Sequence, residues 1–246
     1  MREVTFLCLA VSRREGGHCI AGIDIDSGEW IRPVNATHRG ALTGTEILVA
    51  DHQTPKPRKM MPLDIVRLRV GEYVGNRGQP ENWTLMSARN GLPNPLLGSG
   101  KDDPSLHSKI RELAKENASS GLLFGNDAKS VSHSVIQNDP FVSSLSIAQP
   151  RYLRWQRDLN FNRNPCIDGY FDLGSRSIRH VIRLTDVAWE LRLLDLTCKE
   201  PLIEHSDLPD SGPDLETYLT ISLGDIFPQT GHHYKLIAGV LILPKP

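Results

Sequence analysis

The sequence predicts a mainly β protein built as two small barrels joined by a helix-containing insertion. Two groups of short segments with two-residue apolar alternation, at 4–86 and 145–243, carry this reading. A stretch rich in glycine and proline at 87–105 parts them, and one amphipathic helical pattern opens at Pro104. The 246 residues and 27.4 kDa are enough for two small domains. The expected division is a first barrel at 1–90, a helical insertion and linker at 91–143, and a second barrel at 144–246.

Residues 4–11 are apolar on both faces, with Val4, Phe6, Cys8 and Ala10 against Leu7, Leu9 and Val11, as in a central strand. Strands at 18–25 and 29–34 flank Asp26-Ser27-Gly28, a hairpin turn in which glycine is free to take positive φ. Strands at 63–70 and 82–86 complete a group of five, the size of a small barrel. From 87 to 105, Gly91, Pro93, Pro95, Gly98, Gly100 and Pro104 should break any regular element. The helix at 104–116 puts Leu106, Ile110, Leu113 and Ala114 on one face. Residues 121–141 read as a linker. Strands then resume at 145–148, 151–157, 165–173, 178–184, 187–194, 218–223 and 234–243, with a surface loop at 199–216.

Hydrophobic residues at 39% and charged residues at 23% support a packed core. A net charge of −1 and a pI near 6.8 exclude a uniformly basic polyanion binder. No apolar run reaches the roughly 18 residues of a membrane span, so no membrane partner is expected. Arg13 and Arg14 follow the apolar run at 4–11, which reads as a buried strand rather than a signal peptide. Cys8, Cys19, Cys166 and Cys198 form no CxxC, which points to a reducing, cytoplasmic compartment.

Three segments, taken in order, resemble landmarks of the bacterial dual OB-containing domain family. They are CIAGIDIDSGEWIRPV at 19–34, PENWTL at 80–85 and YLTISLGDIFPQTGHHYKLIAGVL at 218–241, and together they span nearly the whole chain. The resemblance implies two OB-like barrels, in agreement with the strand count. It also implies nucleic-acid or nucleotide binding in bacterial conflict and defence settings, and it brings no catalytic residues.

Charge is unevenly placed. Residues 151–183 hold seven arginines against three aspartates, a net +4, while 194–225 hold one lysine against eight acids, a net −7. In RYLRWQR, alternation sets Tyr152, Arg154 and Gln156 on one face and Leu153 and Trp155 on the other. Arginine beside an aromatic on a solvent face suits phosphate contact and base stacking. The competing reading pairs these arginines with the acidic loop. Trp30 and Arg32 share a strand face, where they either line a cleft or Arg32 forms a buried structural pair with Asp24 or Asp26. Arg13 and Arg14 are either a phosphate contact at a barrel mouth or a solvated pair.

Metal chemistry finds little footing. Cys8, His18 and Cys19 lack zinc-ligand spacing, His232-His233 would direct its rings to opposite sheet faces, and the Asp24–Glu29 stretch lacks the closing glutamate of a calcium loop. No GxSxG, Walker A or GxGxxG motif is present. The expectation is a non-enzymatic module without cofactor or metal. It would bind single-stranded nucleic acid or a nucleotide through Trp30, Arg32, Arg151, Tyr152, Arg154, Arg157 and Arg179. The alternative is a subunit that docks a protein partner, in a larger complex, through the acidic 195–225 region and the helix at 104–116.

Overall fold

Apolar side chains on both faces make β1 (Arg2–Arg14) the seam of the molecule. In the computed structural model, which describes residues 1–51, 56–86, 92–139, 143–160, 162–174, 178–197 and 200–246, its two faces serve two different cores. Gly91, Arg176, Cys198 and Lys199 lie outside the described residues. β1 pairs with β2 (Gly17–Asp24), and β2 with β3 (Trp30–Val34). Between β2 and β3, Gly28 takes φ of 76°, which a side chain would resist, and donates to the Asp24 carbonyl at 2.7 Å. The short β4 (Leu48–Ala50) and β5 (Arg58–Lys59) precede β6 (Asp64–Tyr73) and β7 (Asn82–Leu85). β7 runs parallel to β3 and antiparallel to β6, and β6 returns to β1, closing a five-stranded barrel around Phe6, Cys8, Ile20, Ile31, Val66 and Leu68. These are the five strands the alternation predicts.

β8 (Asn94–Ser99) corrects the expectation that 87–105 holds no regular element. It pairs with β6 and β4. The buried Asn94 side chain donates to the carbonyls of Glu46 and Leu48 at 2.9 and 3.0 Å, which fixes a strand that proline and glycine alone would disfavour. α1 (Pro104–Ala118) follows, its first N–H groups capped by Asp103.

The second sheet starts inside the expected linker with β9 (Ser130–Ser132), next to the short α2 (His133–Asn138). β10 (Leu145–Ala148), β11 (Arg151–Leu159), β12 (Pro165–Leu173) and β13 (Ile178–Leu184) come next. After α3 (Val187–Leu196) and β14 (Leu202–Glu204), β15 (Leu215–Phe227) and β16 (His232–Pro244) complete it. The order β11-β12-β13-β16-β15, with β13 parallel to β16, repeats that of the first barrel. Trp155, Ile167, Phe171, Ile182, Leu219 and Ile237 fill its interior. The barrel is partly open, because among the described residues no ladder joins β15 to β11. Residues 187–194, expected as a strand, are helical. Asp186 caps α3 by accepting from the N–H groups of Ala188 and Trp189, and Trp189 and Leu193, four apart, turn to the core.

The modules meet on the outer face of β1. Leu7, Leu9 and Ile23 pack against Ile147, Tyr218 and Leu241, with Leu106 and Ile110 of α1 alongside. A Cβ on Gly239 of β16 would lie 2.3 Å from the Leu9 carbonyl oxygen, which Thr220 also reaches through its hydroxyl at 2.6 Å. α1 ties both sides, with Lys109 donating to the Ile25 carbonyl and Arg111 to the Glu216 carboxylate. Arg13 and Arg14, read from the sequence as either a phosphate contact or a solvated pair, bridge instead to Glu190 and Asp225 across the same junction.

Arg32 sits in this junction, 1% exposed. Its partner is Glu81 at 2.9 Å, not Asp24 or Asp26, because the parallel pairing of β3 with β7 brings the two backbones together. Arg32 also donates to the hydroxyls of Ser144 and Ser222, at 2.9 and 3.0 Å, and Ser144 donates from its N–H and hydroxyl to Glu81. Glu81→Ala would leave Arg32 uncompensated in a dry site and should cost about 3–5 kcal/mol in urea unfolding. An Arg32→Met, Glu81→Leu double variant should recover most of that loss. A single variant within about 0.5 kcal/mol of wild type would show that the pair does not hold the junction.

Candidate nucleic-acid interface

OB barrels take ligands on the face of their middle strands and the adjoining loops. In the first barrel the outer side of β1 and β2 is covered by the second module and α1. In the second, the outer side of β11, β12 and β13 reaches solvent, with Arg151 and Arg179 exposed and Arg154, Gln156, Tyr170, Val181 and Arg183 half-buried. Cross-strand register sets three rows on it: Arg151, Asp172 and Arg179; Arg154, Tyr170 and Val181; and Gln156, Asp168 and Arg183. Tyr170 therefore stands beside Arg154, between Arg151 and Arg179 on one side and Arg183 on the other.

Three of these arginines are held from below by one nitrogen. Nε of Arg179 donates to Asp172 at 3.2 Å, Nε of Arg183 to Asp168, and Nε of Arg154 lies 3.7 Å from Glu204. Among the described residues their terminal Nη groups make no further hydrogen bond, so the forks are oriented by one edge. Of these three, Arg154 pairs with the acidic 195–225 region, whereas Arg179 and Arg183 are held by aspartates of β12. Burial, and after it the carboxylates of Asp168 and Asp158, push the Tyr170 phenol above its ordinary range and keep it neutral. Tyr170 and Arg183 were missed in the sequence, although the alternation Asp168, Tyr170, Asp172 against Ile167, Gly169, Phe171 marks that face.

The other expected residues are distributed. Tyr152 adopts φ of 53° in a bulge between Arg151 and Arg154, which turns it to the edge of the face, 67% exposed, with the Arg151 guanidinium 5.5 Å from its ring centre. Arg157 points to the other side of β11 and reaches the Leu194 carbonyl at the end of α3. Trp30 lies in the first barrel and lines a cleft between the modules, and Arg32 is buried at the junction.

Tyr152 also lines a groove of about 460 Å³ in the gap between β11 and β15, with Leu153, His205, Thr217 and Lys245. His205 fills the gap that strand pairing leaves. The Trp155 indole donates to its Nδ1 at 3.1 Å, so the proton is on Nε2, which donates to the Thr217 hydroxyl at 2.7 Å. Burial, then Arg192, lowers the His205 pKa to about 4, with Asp210 opposing.

Two copies of one barrel order, one with its strand face spent on packing and one with it open, define an OB-fold binding module. Residues 4–240 match the family described as the dual OB-containing domain, and the chain belongs to that family. No curated protein and no solved structure matches it. Among the described residues no helix is long and apolar enough to cross a membrane, and no three His, Cys, Asp or Glu side chains are grouped to hold a metal ion.

The His205 bridge has a pH signature. Its folded pKa of about 4 lies below the usual 6.5, so the unfolded chain binds the extra proton first. This stability is complete above pH 6.5 and lost as pH falls toward 4, by about 3 kcal/mol in all. Urea unfolding of wild type and His205→Gln across that window should show the difference between them shrinking as the pH falls. A constant difference would mean that the imidazole is not buried neutral.

Proposed function

We propose that the chain is a non-enzymatic module that binds single-stranded nucleic acid or a nucleotide-like ligand on the outer face of β11, β12 and β13. The observation that carries this is the free strand face of the second barrel, where Arg151, Arg154, Arg179 and Arg183 surround Tyr170. Bases would stack on Tyr170 and Tyr152, and the open arginine forks would hold phosphates. Binding is local and moderate in strength, since a net charge of −1 gives no general attraction for polyanions. The division into a first barrel at 1–90, an insertion at 91–143 and a second barrel at 144–246 belongs to the same proposal. So does a cytoplasmic location, which suits the free thiols of Cys8, Cys19 and Cys166. In the bacterial defence setting that the family resemblance implies, the module would supply nucleic-acid recognition.

The partner-docking reading has less support. The apolar face of α1 is already used at the junction, and Glu204, Asp210, Glu216 and Asp225 each pair with an arginine of the chain.

Labelled single-stranded DNA and RNA, titrated at low and high salt, test the proposal. Tyr170→Ala and Tyr152→Ala should each weaken binding by about 1–3 kcal/mol per stacked base with the salt slope unchanged. Arg179→Ala should weaken binding and flatten the slope by about 0.7 for each phosphate that is no longer neutralised. No binding at low salt, or variants that bind as wild type, would overturn the assignment.

A further inference from the structure

A cleft of about 740 Å³ opens where the first barrel, α1 and β10 meet, within the size range of small-molecule sites. Four aromatic rings line it: Trp30 at the start of β3, Tyr73 at the end of β6, Trp83 on β7, and Phe124. Tyr73 and Trp83 meet edge to face, with ring centres 5.3 Å apart. The charged groups with them are all carboxylates, Glu29, Glu81 and Glu116. Among the described lining residues there is no lysine, arginine or histidine.

We propose that this cleft binds a small organic cation carrying a guanidinium or an alkylated ammonium group. Aromatic faces attract such cations through their quadrupole, and the attraction grows where water is excluded. The chain already shows the chemistry once. The Arg2 guanidinium sits 5.0 Å from the Trp83 ring centre and reaches Asp24 at 3.4 Å and Glu29 at 3.8 Å. Glu81 is balanced by Arg32 at 2.9 Å. Glu116, on the exposed side of α1, has no partner among the described residues, and with the weakly held Glu29 it leaves the cleft negative. A phosphate-bearing ligand is disfavoured here, so the cleft and the arginine face select opposite charges. This inference stands on residues separate from the proposed nucleic-acid face, and either can fail without the other.

The test is a titration of the full chain with agmatine and with choline, each against AMP as the anionic control, followed by the indole N–H signals of Trp30 and Trp83 in NMR. Millimolar agmatine or choline should shift both signals, and AMP should not. Glu116→Lys, a change at an exposed helix position, should weaken cation binding about tenfold or more while leaving the melting temperature in place. Tyr73→Ala should weaken it severalfold. If neither cation shifts the two indoles, if Glu116→Lys binds as wild type, or if AMP shifts them as strongly, the cleft is not a cation site.

Discussion

The buried ion pair of Arg32 with Glu81 sets the terms for the rest of the molecule. Taking two charges out of water costs several kcal/mol for each ion, and mutual attraction offsets this only when further hydrogen bonds complete the site. Here those bonds come from Ser144 and Ser222, which belong to the other module. The first barrel therefore cannot satisfy its own pair until the second is docked. One nitrogen, Arg32 Nε, stays buried without a partner. A pair whose cost is incompletely offset is better understood as fixing one docking geometry than as adding stability.

That geometry decides which surfaces remain. With β3 and β7 anchored to Ser144 and Ser222, the outer faces of β1 and β2 must lie on β10, β15 and β16, and Gly239 permits the closest approach. The first barrel gives up the strand face that an OB barrel ordinarily offers a ligand, and the second keeps its own. Two barrels of one order thus keep different surfaces free through packing alone.

Much of this was legible in the chain and some was not, for identifiable reasons. The five strands of the first barrel follow from alternation, and the two apolar faces of β1 announced a strand buried on both sides. The segment Val187–Leu196 misled because an apolar run without polar alternation fits a buried strand as well as a helix; the cap at Asp186 was the usable signal. β8 was hidden because its support, the Asn94 side chain bonded to Glu46 and Leu48, is a long-range contact. For the same reason Arg32 could be read as paired, but not with Glu81, 49 positions away. At the candidate site, the arginines of β11 and β13 were visible as a charge run, whereas the central Tyr170 emerges only when register places β12 between them.

The carboxylates under the arginine face look at first like an argument against anion binding, since each cancels a charge. Geometry weakens that objection. Asp172 and Asp168 take the Nε of Arg179 and Arg183, are themselves nearly buried, and leave the terminal nitrogens outward. An arginine fixed in this way has already given up part of the side-chain freedom that a phosphate contact would otherwise cost. Its long-range field is reduced, but its short-range bidentate donors are ready. Such a face would attract polyanions only weakly from a distance, and the proposed recognition of phosphate and base would act at contact, in keeping with a nearly neutral chain.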